Sequence, residues 1–185
     1  MQGAKKRVIA ISGMPGAGKG VAASAAKQLG LQVLVLGDVI REETERRGLE
    51  PNPKNVGDVM LQLRKEEGPA AVARRLLQRA EALNSPTVVI EGVRSLHETK
   101  ELQAKFDSVT IAIHASPATR FQRLKARGRS DDPKTWELFC ERDNRELDVG
   151  LGHVIALADM VLVNEGSISE LQSKFTEYVS KLNLQ

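Results

Sequence analysis

The sequence predicts an α/β protein in which helices cover both faces of a parallel sheet. Three observations carry the prediction: five short apolar runs, helix-forming segments between them, and a glycine-rich loop joining the first run to the first helix. The runs are "RVIAIS" (7–12), "QVLVL" (32–36), "TVVIE" (87–91), "SVTIAIH" (108–114) and "DMVLVN" (159–164). Their near-continuous Val, Ile and Leu content suits strands buried on both faces. Lys19 to Leu29 is alanine-rich and stops at Gly30, as a helix does. Pro69 opens "PAAVARRLLQRAEAL" with a proline in the first helical turn. Ser167 is placed to cap "SISELQSKFTEYVSKL".

Two connections exceed the roughly 10–12 residues a crossover needs. Residues 37–86 separate the second and third strands, and residues 115–158 the fourth and fifth. In an open α/β sheet, ligands bind at the carboxyl ends of the strands. The excess chain therefore reads as two flaps over that edge. The 185 residues form one expected domain, with its core in 7–36, 86–114 and 159–185. An acceptor-binding flap occupies about 37–85, and a lid about 115–158.

With 41% hydrophobic and 28% charged residues, the composition is that of an ordinary soluble protein. The basic start "MQGAKKRVIAISG" leads into the glycine loop rather than a cleavage site, so a cytoplasmic location is expected. The single Cys140 excludes an intramolecular disulfide, and its bland reading is a small buried hydrophobe. Three scattered histidines offer no zinc spacing. A net charge of +3 does not by itself imply nucleic-acid binding. The basic residues are nevertheless clumped: "RFQRLKARGR" holds Arg120, Arg123, Lys125, Arg127 and Arg129 without an acid, so anionic ligands are expected.

"GMPGAGKG" places Gly13, Met14, Pro15, Gly16, Ala17, Gly18, Lys19 and Gly20 between a strand and a helix. Glycines let successive amides turn inward toward phosphate oxygens, and the helix N-terminus adds partial positive charge. Lys19 bridges the outer phosphates. Gly20 and Val21 stand where a magnesium-binding hydroxyl is usual. At the end of the third run, Glu91 is a carboxylate placed to hold magnesium or its waters.

The loop resembles that of adenylate kinases and related nucleoside monophosphate kinases, with Val21 a departure. "LGDVIREE" resembles their acceptor segment: Gly37, Asp38 and Arg41 match, while Leu36 replaces a threonine. The resemblance implies that Arg41 grips the acceptor's phosphate and Asp38 holds magnesium through water. "EGVRS" is similar to a further motif of that family, with Arg94 one residue early. Arg64 is a third candidate acceptor contact. Their lids similarly carry arginine before paired aspartates and a later arginine; here these are Arg127, Arg129, Asp131, Asp132 and Arg142. Arg120, Arg123 and Arg127 share one helix face, and Asp131 and Asp132 orient the arginines. "VLVNEGS" resembles the last strand of dephospho-CoA kinases, which would put Asn164 and Gly166 near adenine.

Over almost its whole length the chain looks most like an archaeal family of P-loop nucleotide-kinase-like proteins. The segments "GMPGAGK", "GDVIREE", "LRKEEGPAAVA", "RSLHE", "IAIHASPATRF", "RGRSDDPKTW" and "VNEGS" carry that resemblance. It implies a three-layer P-loop NTPase fold with strand order 2-3-1-4-5. It also implies ATP and Mg2+ as cofactors and small nucleotides as partners. The expected activity is transfer of the γ-phosphoryl of ATP to a nucleoside monophosphate, AMP or CMP. Two rivals stand beside it: phosphorylation of a ribose hydroxyl, as in dephospho-CoA kinases, and a nucleotide-dependent RNA-binding or assembly ATPase. Few aromatics (six in the chain) leave the last without a stacking platform.

Overall fold

Five parallel strands form one twisted sheet in the order β2-β3-β1-β4-β5. The structure, a computed structural model, describes residues 5–129 and 132–182. The strands are β1 (Arg7–Ser12), β2 (Gln32–Val35), β3 (Thr87–Glu91), β4 (Asp107–His114) and β5 (Met160–Val163). The expected order and five-stranded parallel sheet are therefore observed. β1 is central, in register with β3 from Arg7↔Thr87 to Ile11↔Glu91 and with β4 from Arg7↔Asp107 to Ser12↔Ala112. This pairing brings the carboxyl ends of β1 and β3 together, so Glu91 lies beside the loop that leaves β1.

On one face α1 (Lys19–Gln28) and α9 (Ile168–Leu182) pack against Ile9, Ile11, Val89, Ile111 and Ile113. On the other, α4 (Ala71–Ala82), α5 (Leu96–Lys105) and α8 (Leu151–Ala156) contribute to a core with Val8, Ala10, Val88 and Ile90. Because consecutive strand residues alternate faces, uniform Val/Ile content is what burial on both faces requires. Ser167 caps α9, accepting the Glu170 amide at 3.2 Å.

Most boundaries fall within a residue of expectation, and two of the differences change how a segment is used. β2 stops at Val35, and Leu36 is the first residue of α2 (Leu36–Arg46). Leu36 is buried at 4% exposure and packs into the core, so its apolar character serves a helix rather than a strand. Pro69 and Ala70 form a turn ahead of α4, which begins at Ala71. Between β2 and β3, α2, α3 (Pro53–Glu67) and α4 make the first flap. Glu43, 4% exposed, ties it together by bonding Arg46, Arg47 and Arg75 at 2.7–3.0 Å. Between β4 and β5 lie α6 (Pro117–Arg127), α7 (Trp136–Asp148) and α8. Cys140 is half-buried on α7 and carries a free thiol. No helix among the described residues is long and apolar enough to cross a membrane.

Candidate active site

The loop from β1 to α1 is held open from behind. Asn164 Nδ2 donates to the Ala17 carbonyl at 2.8 Å, and Arg120 Nη1 to the Pro15 carbonyl at 3.2 Å. Met14 and Ala17 are buried beneath the loop, at 8% and 0% exposure. Gly13 (φ 145°) and Gly18 (φ 110°) have left-handed backbones and no room for a side chain. A Cβ would strike the Ile113 carbonyl at the first and the Asn164 amide at the second. Among the described residues, no protein acceptor takes the amides of Gly16, Gly18, Lys19 or Gly20. Exposed amides at a helix N-terminus form a cradle for an anion.

Lys19 Nζ turns back onto this loop, donating to the carbonyls of Gly13 at 2.7 Å and Met14 at 3.2 Å. Burial, then the nearby Arg94 and Arg142, lowers its pKa from 10.5 to about 8, against the opposing charges of Glu91 and Glu146. An ammonium held below its ordinary pKa in a cationic pocket is short of a counter-ion. Phosphate oxygens would supply one.

A cleft of about 660 Å³ opens in front of the loop. Gly13, Pro15, Gly16, Gly18, Lys19, Gly20 and Val21 form its donor side. Gly37, Arg41, Arg64 and Arg94 line it as an acceptor wall, Glu91 lines it from the end of β3 beside the loop, and Arg123, Arg127, Arg129 and Arg142 line it from the lid. Most of the residues expected to act together are thus in one cavity.

Three are placed otherwise. Asp38 does not line the cleft; its carboxylate pairs with Arg41, one turn away on α2, and is half exposed. Asp38 lies in the first turn of α2, which starts at Leu36. Asn164 is 6% exposed and also lies outside the cleft wall. Its side chain is spent on the loop, and its carbonyl accepts Arg123 Nη1 at 2.9 Å. Arg120 is 3% exposed and forms a bidentate pair with Asp143, 2.8 Å on one arm. It stacks 4.9 Å over Phe139 and joins the loop to the lid, turning inward from the helix that also carries Arg123 and Arg127.

Asp132 organises the lid. It accepts Arg127 Nε at 2.9 Å and the Arg129 amide at 3.0 Å, with Arg142 Nη1 at 3.5 Å. The Arg127 hydrogen bonds hold its carboxyl below the usual range. Ser130 and Asp131 lie outside the described residues.

Two carboxylates missed in the sequence stand in the acceptor wall. Glu98, 2% exposed, accepts Arg64 Nη2 at 3.0 Å and the Arg94 amide at 2.7 Å. Its signal was present: "SLHE" is a capping box, and Ser95 Oγ accepts the Glu98 amide at 3.3 Å. Glu146 on α7 pairs with Arg94 Nη1 at 3.0 Å. Nothing in "CERDNRELD" marks it, because the contact spans 52 residues. For magnesium, Glu91 is the carboxylate at the loop, and the described residues hold no cluster of three metal-ligating side chains. That donor set fits a cation bound chiefly to phosphate oxygens and water.

Comparison with known proteins agrees with this geometry. The family described as "AAA domain" matches residues 12–139. The UPF0200 protein of Hyperthermus butylicus is 45% identical over 185 residues, covering the whole of both chains. Among solved structures, TT1252 from Thermus thermophilus superposes with a TM-score of 0.68 at 22% identity, covering 96% of this chain and 98% of that one. Shikimate kinase from Bacteroides thetaiotaomicron gives 0.65 at 16% identity, with 94% and 98% covered. The chain is a member of the archaeal UPF0200 family, an AAA-domain protein with the fold of the P-loop kinases.

Proposed function

We propose that the protein transfers the γ-phosphoryl group of ATP to a small nucleotide acceptor, a nucleoside monophosphate such as AMP or CMP. The observation that carries this reading is a single cleft lined both by a phosphate cradle and by Arg41, Arg64 and Arg94. Guanidinium forks suit an acceptor that is itself a phosphate.

Phosphoryl transfer asks the protein for position and charge rather than covalent chemistry. The free loop amides and the start of α1 bind the donor phosphates. Lys19 exchanges the Gly13 and Met14 carbonyls for phosphate oxygens. Glu91 would hold a water of magnesium bound with ATP, a cation that would neutralise charge on the outer phosphates. Arg41 and Arg94 align the acceptor's phosphate, and Arg129 and Arg142 approach from the lid. A phosphate acceptor arrives ionised and needs no base. A ribose hydroxyl needs one, and the Asp38 carboxylate in the acceptor segment is engaged by Arg41. The geometry therefore favours a phosphate over a hydroxyl acceptor.

The test is a screen of ATP consumption by the purified protein against nucleoside monophosphates, nucleosides and dephospho-CoA. Turnover with AMP or CMP is expected. Turnover confined to dephospho-CoA or a nucleoside would replace this reading with hydroxyl phosphorylation.

A further inference from the structure

Charges in the acceptor wall come in pairs: Arg41 with Asp38, Arg64 with Glu98, and Arg94 with Glu146. The third pair is built differently from the structural pairs of this fold. Asp143 on Arg120, Asp132 on Arg127 and Glu43 on Arg46 each engage both carboxylate oxygens. Glu146 uses one. Its Oε2 is buried with no hydrogen-bond partner among the described residues, as is the nearby wall atom Arg64 Nε. Arg94 remains 44% exposed and lines the cleft, while Glu146 is only 12% exposed. A buried carboxylate oxygen left unsatisfied makes this pair easier to exchange for a better partner than those bidentate pairs.

We propose that Glu146 is a positioning residue of the acceptor site: it holds Arg94 in place of the acceptor's anion and gives it up when that anion arrives. The inference rests on the reading of this wall as the seat of an anionic acceptor. A phosphate offers Arg94 several oxygens where Glu146 offers one. A phosphate and the Glu146 carboxylate repel each other at the same guanidinium, so the weaker partner leaves. Glu146 rides on α7, which also carries Arg142 one turn earlier into the same cleft. Release of Glu146 thus frees the lid helix when the acceptor has bound.

Glu146→Gln removes the charge and keeps an oxygen for Arg94. It should bind AMP or CMP about three- to tenfold more tightly, the difference between opposing a charged and a neutral partner. The KM for ATP at pH 7 should change less than twofold. Hydrogen exchange of Trp136–Asp148 should rise in the wild type on adding AMP, be already raised in Glu146→Gln, and not respond to AMP in Arg94→Ala. Unchanged or weaker AMP binding by Glu146→Gln, with its Tm preserved, overturns the proposal. So does α7 exchange that ignores bound AMP in the wild type. If neither monophosphate binds the wild type, the nucleotide reading fails instead. Inorganic phosphate then decides on Glu146: tighter binding in Glu146→Gln, lost on adding Arg94→Ala, supports the exchange, and equal binding refutes it.

Discussion

Lys19 carries a charge that the ligand-free fold bears at a cost. Its pKa falls from 10.5 to about 8, with burial the largest cause and Arg94 the next. Above about pH 10.5 the amine is neutral in folded and unfolded chains alike, and the cost vanishes. Below about pH 8 it is charged in both, and the folded state carries the full penalty. The difference amounts to roughly 3 kcal/mol at most. Stability of the ligand-free protein therefore gains from this residue as pH rises from about 8 to 10.5. Lys19→Met removes the charge at similar volume and forfeits two hydrogen bonds to loop carbonyls. At pH 7 the variant should be more stable by up to about 2 kcal/mol, a Tm rise of a few degrees. That advantage should vanish or reverse by about pH 10, where only the lost hydrogen bonds count, while ATP binding is lost. Thermal melts of both proteins at pH 7 and pH 10 measure it, the difference between them cancelling every other titrating group. A variant less stable than wild type at pH 7, or a pH-independent gap, would refute the reasoning.

The remaining predictions separate roles within the cleft. Arg41→Ala should raise the acceptor's KM by about tenfold or more and leave that of ATP nearly unchanged, since a charge-assisted hydrogen bond is lost on one side only; steady-state titration of each substrate checks this. Glu91→Gln should raise the magnesium concentration needed for turnover, whereas Asp38→Asn, outside the cleft wall, should not; a magnesium titration compares them. Arg120→Ala should destabilise the fold by about 3–5 kcal/mol by stranding Asp143, while Arg129→Ala should lower turnover at least about tenfold with Tm unchanged. Gly20→Ser should fold normally, because a Cβ at Gly20 meets nothing within 4 Å; a collapsed Tm would contradict that.

The sheet was legible because its strands are buried on both faces, and that burial writes continuous Val/Ile runs into the sequence. The glycine loop was legible because left-handed backbone at Gly13 and Gly18 leaves little choice of residue. Side-chain pairing was not. Arg120, Arg123 and Arg127 look alike in "RFQRLKAR", and only the fold sends the first inward to Asp143 and the second to the Asn164 and Gly166 carbonyls. The pairing of Asp38 with Arg41 follows from a helix start at Leu36, one residue earlier than the apolar run suggested, which sets the two one turn apart on α2. Glu146 had no local signal, since its partner Arg94 lies 52 residues away, between β3 and α5.

The lid's basic cluster bears on whether this protein acts on small nucleotides or grips RNA. An RNA surface needs exposed cations that contribute independently to phosphate contacts. Of the five basic residues in "RFQRLKARGR", Arg120 is buried, Arg123 donates to two backbone carbonyls, and Arg127 is held by Asp132. Lys125 and Arg129 remain exposed, and Arg129 lines the cleft. A cluster that spends most of its guanidinium groups on its own chain is being shaped rather than displayed. Shaped cations pointing into one cavity suit a charge that is small, buried and developed in one place, which is the charge of a transferring phosphoryl group. The same economy fits the mild net charge of +3: Arg41, Arg64, Arg94 and Arg127 each have an acid of their own, and the cleft's demand for an anion is local.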